Sequence, residues 1–255
     1  VRKDAADIIL RLAKLPVKLT LTTNATRLHD FVDVLEEAKV SSLNISLDTL
    51  DPDKFNIITR RDSFKKVMDN INLMIARNFH VKVNVVVMKG MNDHEINDFI
   101  AWTKDVPVHV RFIEFMPFEG NRWTSNQVFT WEEMLNEIRK KYQPVAIKGD
   151  IHDTAKKYLI EGHQGTFAII STMSAPFCAG CNRMRLTADG KMKNCLFSQE
   201  ETDLLSALRN GRDVLPLIQE SVLSKAKELG GQFTKDFEKI HTEDLHNRSM
   251  ISIGG

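Results

Sequence analysis

The sequence predicts an α/β protein: an incomplete TIM-type (β/α) barrel over residues 1–147, followed by a C-terminal α+β domain over 148–255. Three observations carry this. Helical and strand patterns alternate through the first half. The strand segments are β-branched and nearly continuously apolar, the pattern of parallel strands buried on both faces. After about residue 145 the texture changes to short strands joined by tight turns, and all three cysteines, Cys178, Cys181 and Cys195, fall there.

Taken in order, residues 4–14 carry apolar side chains at helical spacing, and Pro16 stops that helix. A strand is expected over 17–23, a helix over 27–39 and a strand over 43–48. Asp51-Pro52 marks a helix start, with Pro in the first helical position. Residues 62–77 form an amphipathic helix with Asp62 or Ser63 as its cap. A strand follows over 81–88, a helix over 92–104 capped by Asn92 or Asp93, and a strand over 108–116. Four strands are too few for a closed eight-stranded barrel, and the order opens with a helix, so the first barrel units are missing from the pattern. Beyond 145, strands are expected at 167–172, 183–190 and 191–197, with a hairpin at Asp189-Gly190, then helices at 200–209 and 213–229.

Composition excludes several classes. The 255 residues carry 35 Lys plus Arg against 34 Asp plus Glu, a formal net charge of +1. A general nucleic-acid binder needs a basic surface to displace counterions, so that class is set aside. Three cysteines in so long a chain make no disulfide framework and read as intracellular usage. There is no apolar run long enough for a membrane span. An apolar fraction of 42 % supports a substantial core. The tryptophans Trp102, Trp123 and Trp131 form no stacking pattern, the histidines form no metal motif, and no glycine loop suits a phosphate.

The cysteines read C-x2-C-x13-C in FCAGCNRMRLTADGKMKNCLF. Two thiolates three residues apart on a turn can share one metal centre, and a hairpin can return a third. Thiolates select zinc, copper(I) or iron–sulfur clusters. Zinc would need a fourth ligand, for which His152 and His163 are nearest in sequence. A four-iron cluster held by three thiolates keeps one iron open to a ligand, and a set of packed, reduced thiols is the plainest alternative. Between the first and last cysteine, Arg183, Arg185, Lys191 and Lys193 face only Asp189. Arg183 and Arg185 alternate on an expected strand and so share a face, which suits an anionic or planar ligand.

This segment closely resembles the C-terminal cluster motif of the GTP 3′,8-cyclase family of radical SAM enzymes, which act in molybdenum cofactor biosynthesis. LTTN (21–24), NISLDTLDPDKF (44–55), VKVNVVVMKGMND (81–93), RFIEFMPFEGNRW (111–123) and RSMISIGG (248–255) agree with it in order and spacing. The resemblance implies a barrel that binds S-adenosyl-L-methionine (SAM) and an auxiliary [4Fe–4S] cluster on Cys178, Cys181 and Cys195 whose open iron binds guanine. Arg183, Met184, Arg185, Lys82 and Thr22 would contact GTP, Ser46 and Met116 would contact SAM, and the tail residues Gly254 and Gly255 would enter the active site. The implied reaction converts GTP to (8S)-3′,8-cyclo-7,8-dihydroguanosine 5′-triphosphate. A 5′-deoxyadenosyl radical takes hydrogen from C3′, and C3′ then adds to C8.

The family's N-terminal C-x3-C-x2-C motif, which holds a second [4Fe–4S] cluster, and its GGEP-like motif do not occur in this sequence. The expectation is therefore that this chain, taken alone, is inactive. The resemblance further implies an electron donor, a downstream cyclic pyranopterin monophosphate synthase, a possible homodimer and no nucleic-acid partner. It implies the cytoplasm for a bacterial source and the mitochondrial matrix for a eukaryotic one.

On the residues alone, Thr22 and Ser46 read as strand positions near the end where barrel sites form, Met116 as core filler, and Gly254-Gly255 as an unstructured end. Lys82, near a strand start, fits a solvated entrance or an anion site equally. The rival from another class is a non-catalytic nucleotide-binding module with a structural zinc or iron–sulfur centre.

Overall fold

The computed structural model describes residues 2–233, 236–240 and 247–253. The chain packs as two compact units, neither of them a single stretch of sequence. Unit 1 is formed by residues up to Ile113 with Glu132–Lys148 and Lys156–Ile169, and unit 2 by Glu114–Trp131, Gly149–Ala155 and the rest from Ile170.

A seven-stranded mixed sheet organises the first unit. Its strands are β1 (Thr20–Thr23), β2 (Ser42–Ser46), β3 (Val81–Val87), β4 (His109–Glu114), β5 (Pro144–Ile147), β6 (Lys156–Ile160) and β7 (Thr166–Ile170), in the order β1-β2-β3-β4-β7-β6-β5. β1, β2 and β3 pair in parallel. β5, β6 and β7 form an antiparallel meander. Helices α1 (Ala5–Leu12), α2 (Val32–Glu37), α3 (Pro52–Thr59), α4 (Phe64–Ala76), α5 (Ile96–Asp105) and α6 (Trp131–Arg139) lie between the strands up to β5, with α3 and α4 both between β2 and β3. β5, β6 and α6 were not foreseen; Pro144–Ile147 is a short apolar run opened by proline, and Lys156–Ile160 opens on two lysines, so neither shows strict alternation.

Burial along the strands corrects one expectation. β3 alternates buried and half-buried positions along its whole length, and β4 does the same. One face of the sheet carries Leu43, Ile45, Val81, Val83, Val85, Val110 and Phe112, all nearly inaccessible, in the same core as Leu35, Ile71, Met74, Phe99 and Ile100 from the helices. The other face is half-open and polar. The strands are therefore buried on one face, not two.

Local signals behave unevenly. Asp51 caps α3 as expected, its Oδ1 accepting from the N–H groups of Asp53 (2.8 Å) and Lys54 (3.2 Å). The other proposed caps fail. Ser63 occupies the cap position of α4 without a side-chain cap bond, and its hydroxyl is buried without a partner. Asn92 uses its side chain to tie strands, accepting from Met88 N–H and donating to the carbonyls of Asp48 and Val86. Asp93 accepts from Gly90 N–H instead of capping. The expected helix over 27–39 keeps only α2 as α-helix, preceded by a 3₁₀ turn at Leu28–Asp30. Gly165 is required where the turn before β7 crosses the start of β4. A Cβ there would lie 2.2 Å from the Val108 carbonyl oxygen, while Gly165 N–H bonds Thr103 O.

The second unit holds β8 (Arg185–Leu186), β9 (Lys191–Lys193) and β10 (Thr202–Asp203), an antiparallel sheet in the order β10-β9-β8, with α7 (Leu204–Arg209) and α8 (Leu215–Leu223). The Asp189-Gly190 hairpin forms as expected, closed by Thr187 N–H to Lys191 O and Gly190 N–H to Thr187 O. The second C-terminal helix stops at Leu223 instead of reaching 229. The core of the unit is Phe118, Trp123, Val128, Met173, Phe197, Leu229 and Ile253.

Glu114 is the polar centre of this unit and is fully buried. Its Oε2 accepts from Met173 N–H (2.6 Å) and Ser174 N–H (2.9 Å), and its Oε1 from Trp131 N–H (2.8 Å) and the Ser174 hydroxyl. A buried carboxylate is tolerated when donors satisfy it, and its loss orphans each of them. Glu114→Ala is expected to lower stability by about 3 kcal/mol, read as a drop in the urea midpoint. An unchanged midpoint would show that water replaces the carboxylate at no cost.

Candidate functional site

Register settles where the polar residues of the first unit meet. Thr22 pairs with Asn44, and Asn44 with Lys82, so these three form one row across β1, β2 and β3; Ser46 and Asn84 form the next row. Lys82 is near the beginning of its own strand yet level with Thr22. Strand position alone gave it an isolated place that the register removes.

The rows are wired together by a residue the sequence reading passed over. Arg111 on β4 donates from Nε to Asn84 Oδ1 (2.8 Å) and from Nη2 to Asn44 Oδ1 (2.7 Å), and Asn44 Nδ2 donates to Thr22 Oγ1 (3.3 Å). Its signal was the polar residue at every second position in LNIS, KVN and HVRF, an alternation overlooked in favour of the apolar count.

The electrostatics of this face are one-sided. Burial pulls the Lys82 pKa down, and the charges of Arg111 and Lys157 pull it further. Burial lowers that of Arg111 too. His109, its Nδ1 2.7 Å from Thr166 Oγ1, is pushed down to about 3 by burial, then by Arg111 and Lys82. The imidazole is therefore neutral at physiological pH. Among the described residues neither Lys82 nor Arg111 forms an ion pair. Two desolvated cations without a counterion favour an anionic ligand.

Ser46 is exposed at the end of β2. Two residues on, Asp48 Oδ1 accepts from Val86 N–H (2.8 Å). Burial nevertheless raises its carboxyl to about 6.

In the second unit the cysteines are free and half-buried. Burial raises the Cys178 thiol, and the neighbouring Cys195 and Cys181 push it in the same direction. Leu229 N–H donates to Cys178 Sγ (3.4 Å) and Lys225 Nζ to Cys181 Sγ (3.6 Å). Cys178 and Cys195 also pack against the apolar core of the unit. Free thiols with N–H and ammonium donors in an apolar wall are a donor set suited to a soft metal centre. Among the described residues no three His, Cys, Asp or Glu side chains are already drawn to metal-binding geometry.

The turn between Cys178 and Cys181 rests on a backbone wall. A Cβ on Gly180 would lie 1.8 Å from Ile151 O. His152 Nδ1 lies 2.8 Å from Gly180 O, and Arg183 Nη2 donates to His152 O (3.2 Å). His152 is thus a neighbour of the cysteine turn through backbone oxygen. Arg183 lies outside β8, exposed, with its guanidinium 5.6 Å from the Phe177 ring centre. The expected alternation of Arg183 and Arg185 on one strand fails because β8 begins only at Arg185. Arg185 is half-buried and donates to Ile253 O (3.0 Å). Met184 is half-buried between them. Met116 packs against the core of this unit, and its carbonyl accepts from Asn121 Nδ2 (2.7 Å). Gly254 and Gly255 lie outside the described residues.

Comparison with known proteins finds two family matches, which meet between residues 103 and 108. Residues 1–103 match the Radical SAM superfamily, and residues 108–230 match the family described as Molybdenum Cofactor Synthesis C. A parallel-dominated sheet with an open polar face, joined in sequence to a three-thiol hairpin, therefore defines a radical SAM protein, a class that works with a [4Fe–4S] cluster and SAM.

"GTP 3',8-cyclase" of Alkaliphilus oremlandii is 37% identical over 239 residues, covering 93% of this chain and 72% of that protein. "GTP 3',8-cyclase, mitochondrial" of Arabidopsis thaliana is 41% identical over 264 residues, covering all of this chain and 65% of that protein. The human "Molybdenum cofactor biosynthesis protein 1" is 40% identical, with 40% of its length covered. The chain belongs to the GTP 3′,8-cyclase family, and it spans 40% to 65% of the length of the eukaryotic relatives named here. No described helix is long and apolar enough to cross a membrane.

Asp48 gives a pH test of the first unit. Its folded pKa is raised, so its contribution is complete at low pH and is lost as pH rises from about 4 to about 6. Asp48→Asn is expected to gain about 1–3 kcal/mol relative to wild type between those limits, read as the difference in urea midpoint at pH 4 and pH 7. A pH-independent difference would show that Asp48 titrates normally.

Proposed function

We propose that the protein to which this chain belongs is a GTP 3′,8-cyclase, converting GTP to (8S)-3′,8-cyclo-7,8-dihydroguanosine 5′-triphosphate in molybdenum cofactor biosynthesis. The observation that carries this reading is the set of three free thiols flanking one hairpin that also bears Arg185, with Cys181 and Cys195 both neighbours of Cys178. Cys178, Cys181 and Cys195 are the residues that would hold an auxiliary [4Fe–4S] cluster. When bound, such a cluster supplies an open iron for the guanine base, and a second one with SAM supplies the radical chemistry.

The chain's own residues bind and orient. Lys82 and Arg111 take the phosphates: Arg111 is fixed by two asparagine oxygens and keeps donors free, and Lys82 is a compact charge on the same face. The Thr22 hydroxyl already accepts from Asn44 and can donate to the nucleotide. Arg183, Met184 and Arg185 serve the nucleotide near the thiols. Ser46 and Met116 serve SAM, and Gly254 and Gly255 form a tail whose lack of side chains allows close approach to the reactants. Holding the reacting atoms in register and excluding water is the protein's share of the rate. The reading further calls for an electron donor and for a downstream cyclic pyranopterin monophosphate synthase that consumes the product.

Anaerobic reconstitution is expected to give brown protein with about four irons per chain, and Arg185→Ala is expected to weaken GTP binding at unchanged iron content. Colourless protein with a single zinc would replace this reading by a non-catalytic module with a structural metal. In the full-length parent, removal of Gly254 and Gly255 is expected to abolish turnover while leaving the melting temperature unchanged; wild-type turnover would exclude the tail from the reaction.

A further inference from the structure

Lys193 is a lysine with only 1% of its side chain exposed. A buried ammonium is expensive unless it is paired and fully hydrogen-bonded, and this one is used to hold a remote segment. Its Nζ donates to Ser198 O (2.6 Å) and to Asn247 Oδ1 (3.3 Å) and lies 3.6 Å from Glu201 Oε1. Asn247, itself buried, donates from Nδ2 to Leu196 O (3.0 Å), next to Cys195. The adjacent Arg248 bonds Glu201 Oε2 and, at 3.0 Å, Asp189 Oδ2. Asp189 stands in the hairpin turn and also accepts from the Thr187 hydroxyl (2.6 Å). The segment that starts at this knot ends at Ile253, whose side chain is buried in the core and whose carbonyl receives Arg185 Nη1.

We infer that the Lys193–Glu201–Arg248–Asp189 knot is a latch that clamps residues 247–253 onto the cysteine hairpin, and that Arg248 and Lys193 are thereby positioning residues for the Arg185 guanidinium. The clamp and the carbonyl of Ile253 are two ends of one short segment. Fixing the first end places the second, and the second holds Arg185. Arg185 has lost solvent, and the nearby charge of Arg183 opposes its own. The Ile253 carbonyl is a fixed backbone acceptor for this guanidinium and helps to set its rotamer. An apolar residue would fill the site of Lys193 more cheaply but would take the ammonium away from Asn247 Oδ1 and Glu201 Oε1. The inference rests on the reading that Arg185 serves the nucleotide.

The test uses the reconstituted chain and compares wild type with Arg248→Ala, Arg248→Lys, Asp189→Asn and Arg185→Ala. Two quantities are measured: hydrogen exchange of the 249–253 amides and GTP affinity by calorimetry. Arg248→Ala is expected to speed exchange of that segment about tenfold and to weaken GTP binding about tenfold. Arg248→Lys should restore most of both, and iron content should not change. Asp189→Asn, which leaves the buried part of the knot intact, should show a smaller effect of the same sign and covers the case in which Arg248→Ala fails to fold. Unchanged exchange in both Arg248→Ala and Asp189→Asn would overturn the latch. Faster exchange with wild-type GTP affinity, while Arg185→Ala loses affinity, would overturn the positioning of Arg185. If Arg185→Ala also binds GTP normally, the nucleotide reading of Arg185 fails and the positioning claim with it, while the exchange data still report on the latch.

Discussion

Arg111 is a half-buried guanidinium held by two amide oxygens and, among the described residues, by no carboxylate. Most of what the first unit offers a ligand depends on that choice of partners. A carboxylate would have neutralised the face and made it a structural ion pair. Asn44 and Asn84 fix the geometry of Arg111 and leave its charge uncompensated. Burial first, and then the same charge, keep His109 neutral and lower the proton affinity of Lys82. Parallel pairing of β1, β2 and β3 brings Thr22, Asn44 and Lys82 level, so a set of residues scattered over the sequence becomes one surface.

The second unit solves a different problem, that of holding three thiols without a large regular framework. Its strands are two or three residues long, too short for stability by pairing alone. What substitutes is an apolar core around Trp123 and Phe197, a buried carboxylate at Glu114 that gathers three backbone N–H groups, and the charged knot around Lys193. Each supports a different side of the cysteine hairpin. Glu114 holds the residues that lead into Cys178, Leu229 and Lys225 donate to sulfur, and the knot fixes the hairpin turn.

Much of the fold was legible in the sequence, because helix and strand periods alternate clearly and Asp51-Pro52 and Asp189-Gly190 specify local geometry by themselves. The errors have physical sources. Ser63 and Asn92 satisfy cap statistics, yet one is left without a partner and the other ties strands. β5 and β6 lack strict alternation and gain their strand form from pairing with neighbours. Buried-on-both-faces was inferred from a count of apolar residues, whereas Lys82, Asn84 and Arg111 at every second position already described a polar face. Of the site, the cysteines were legible from spacing. The roles of Lys193 and Arg248 were not, since they lie in contacts between segments distant in sequence, and for Arg111 the alternation showed the face but not its amide partners.

Gly180 shows what this construction costs in modularity. This residue, the second of the two between the first pair of cysteines, lies flat against the backbone of Ile151, and His152 contacts its carbonyl. The wall behind the C-x2-C turn is thus supplied by a stretch almost thirty residues earlier, and between the two the chain runs through Lys156–Ile169 of the other unit. The cysteine motif is contiguous as text but discontinuous as an object. A peptide cut from FCAGC to CLF would carry every thiol and lack the surface that shapes their turn.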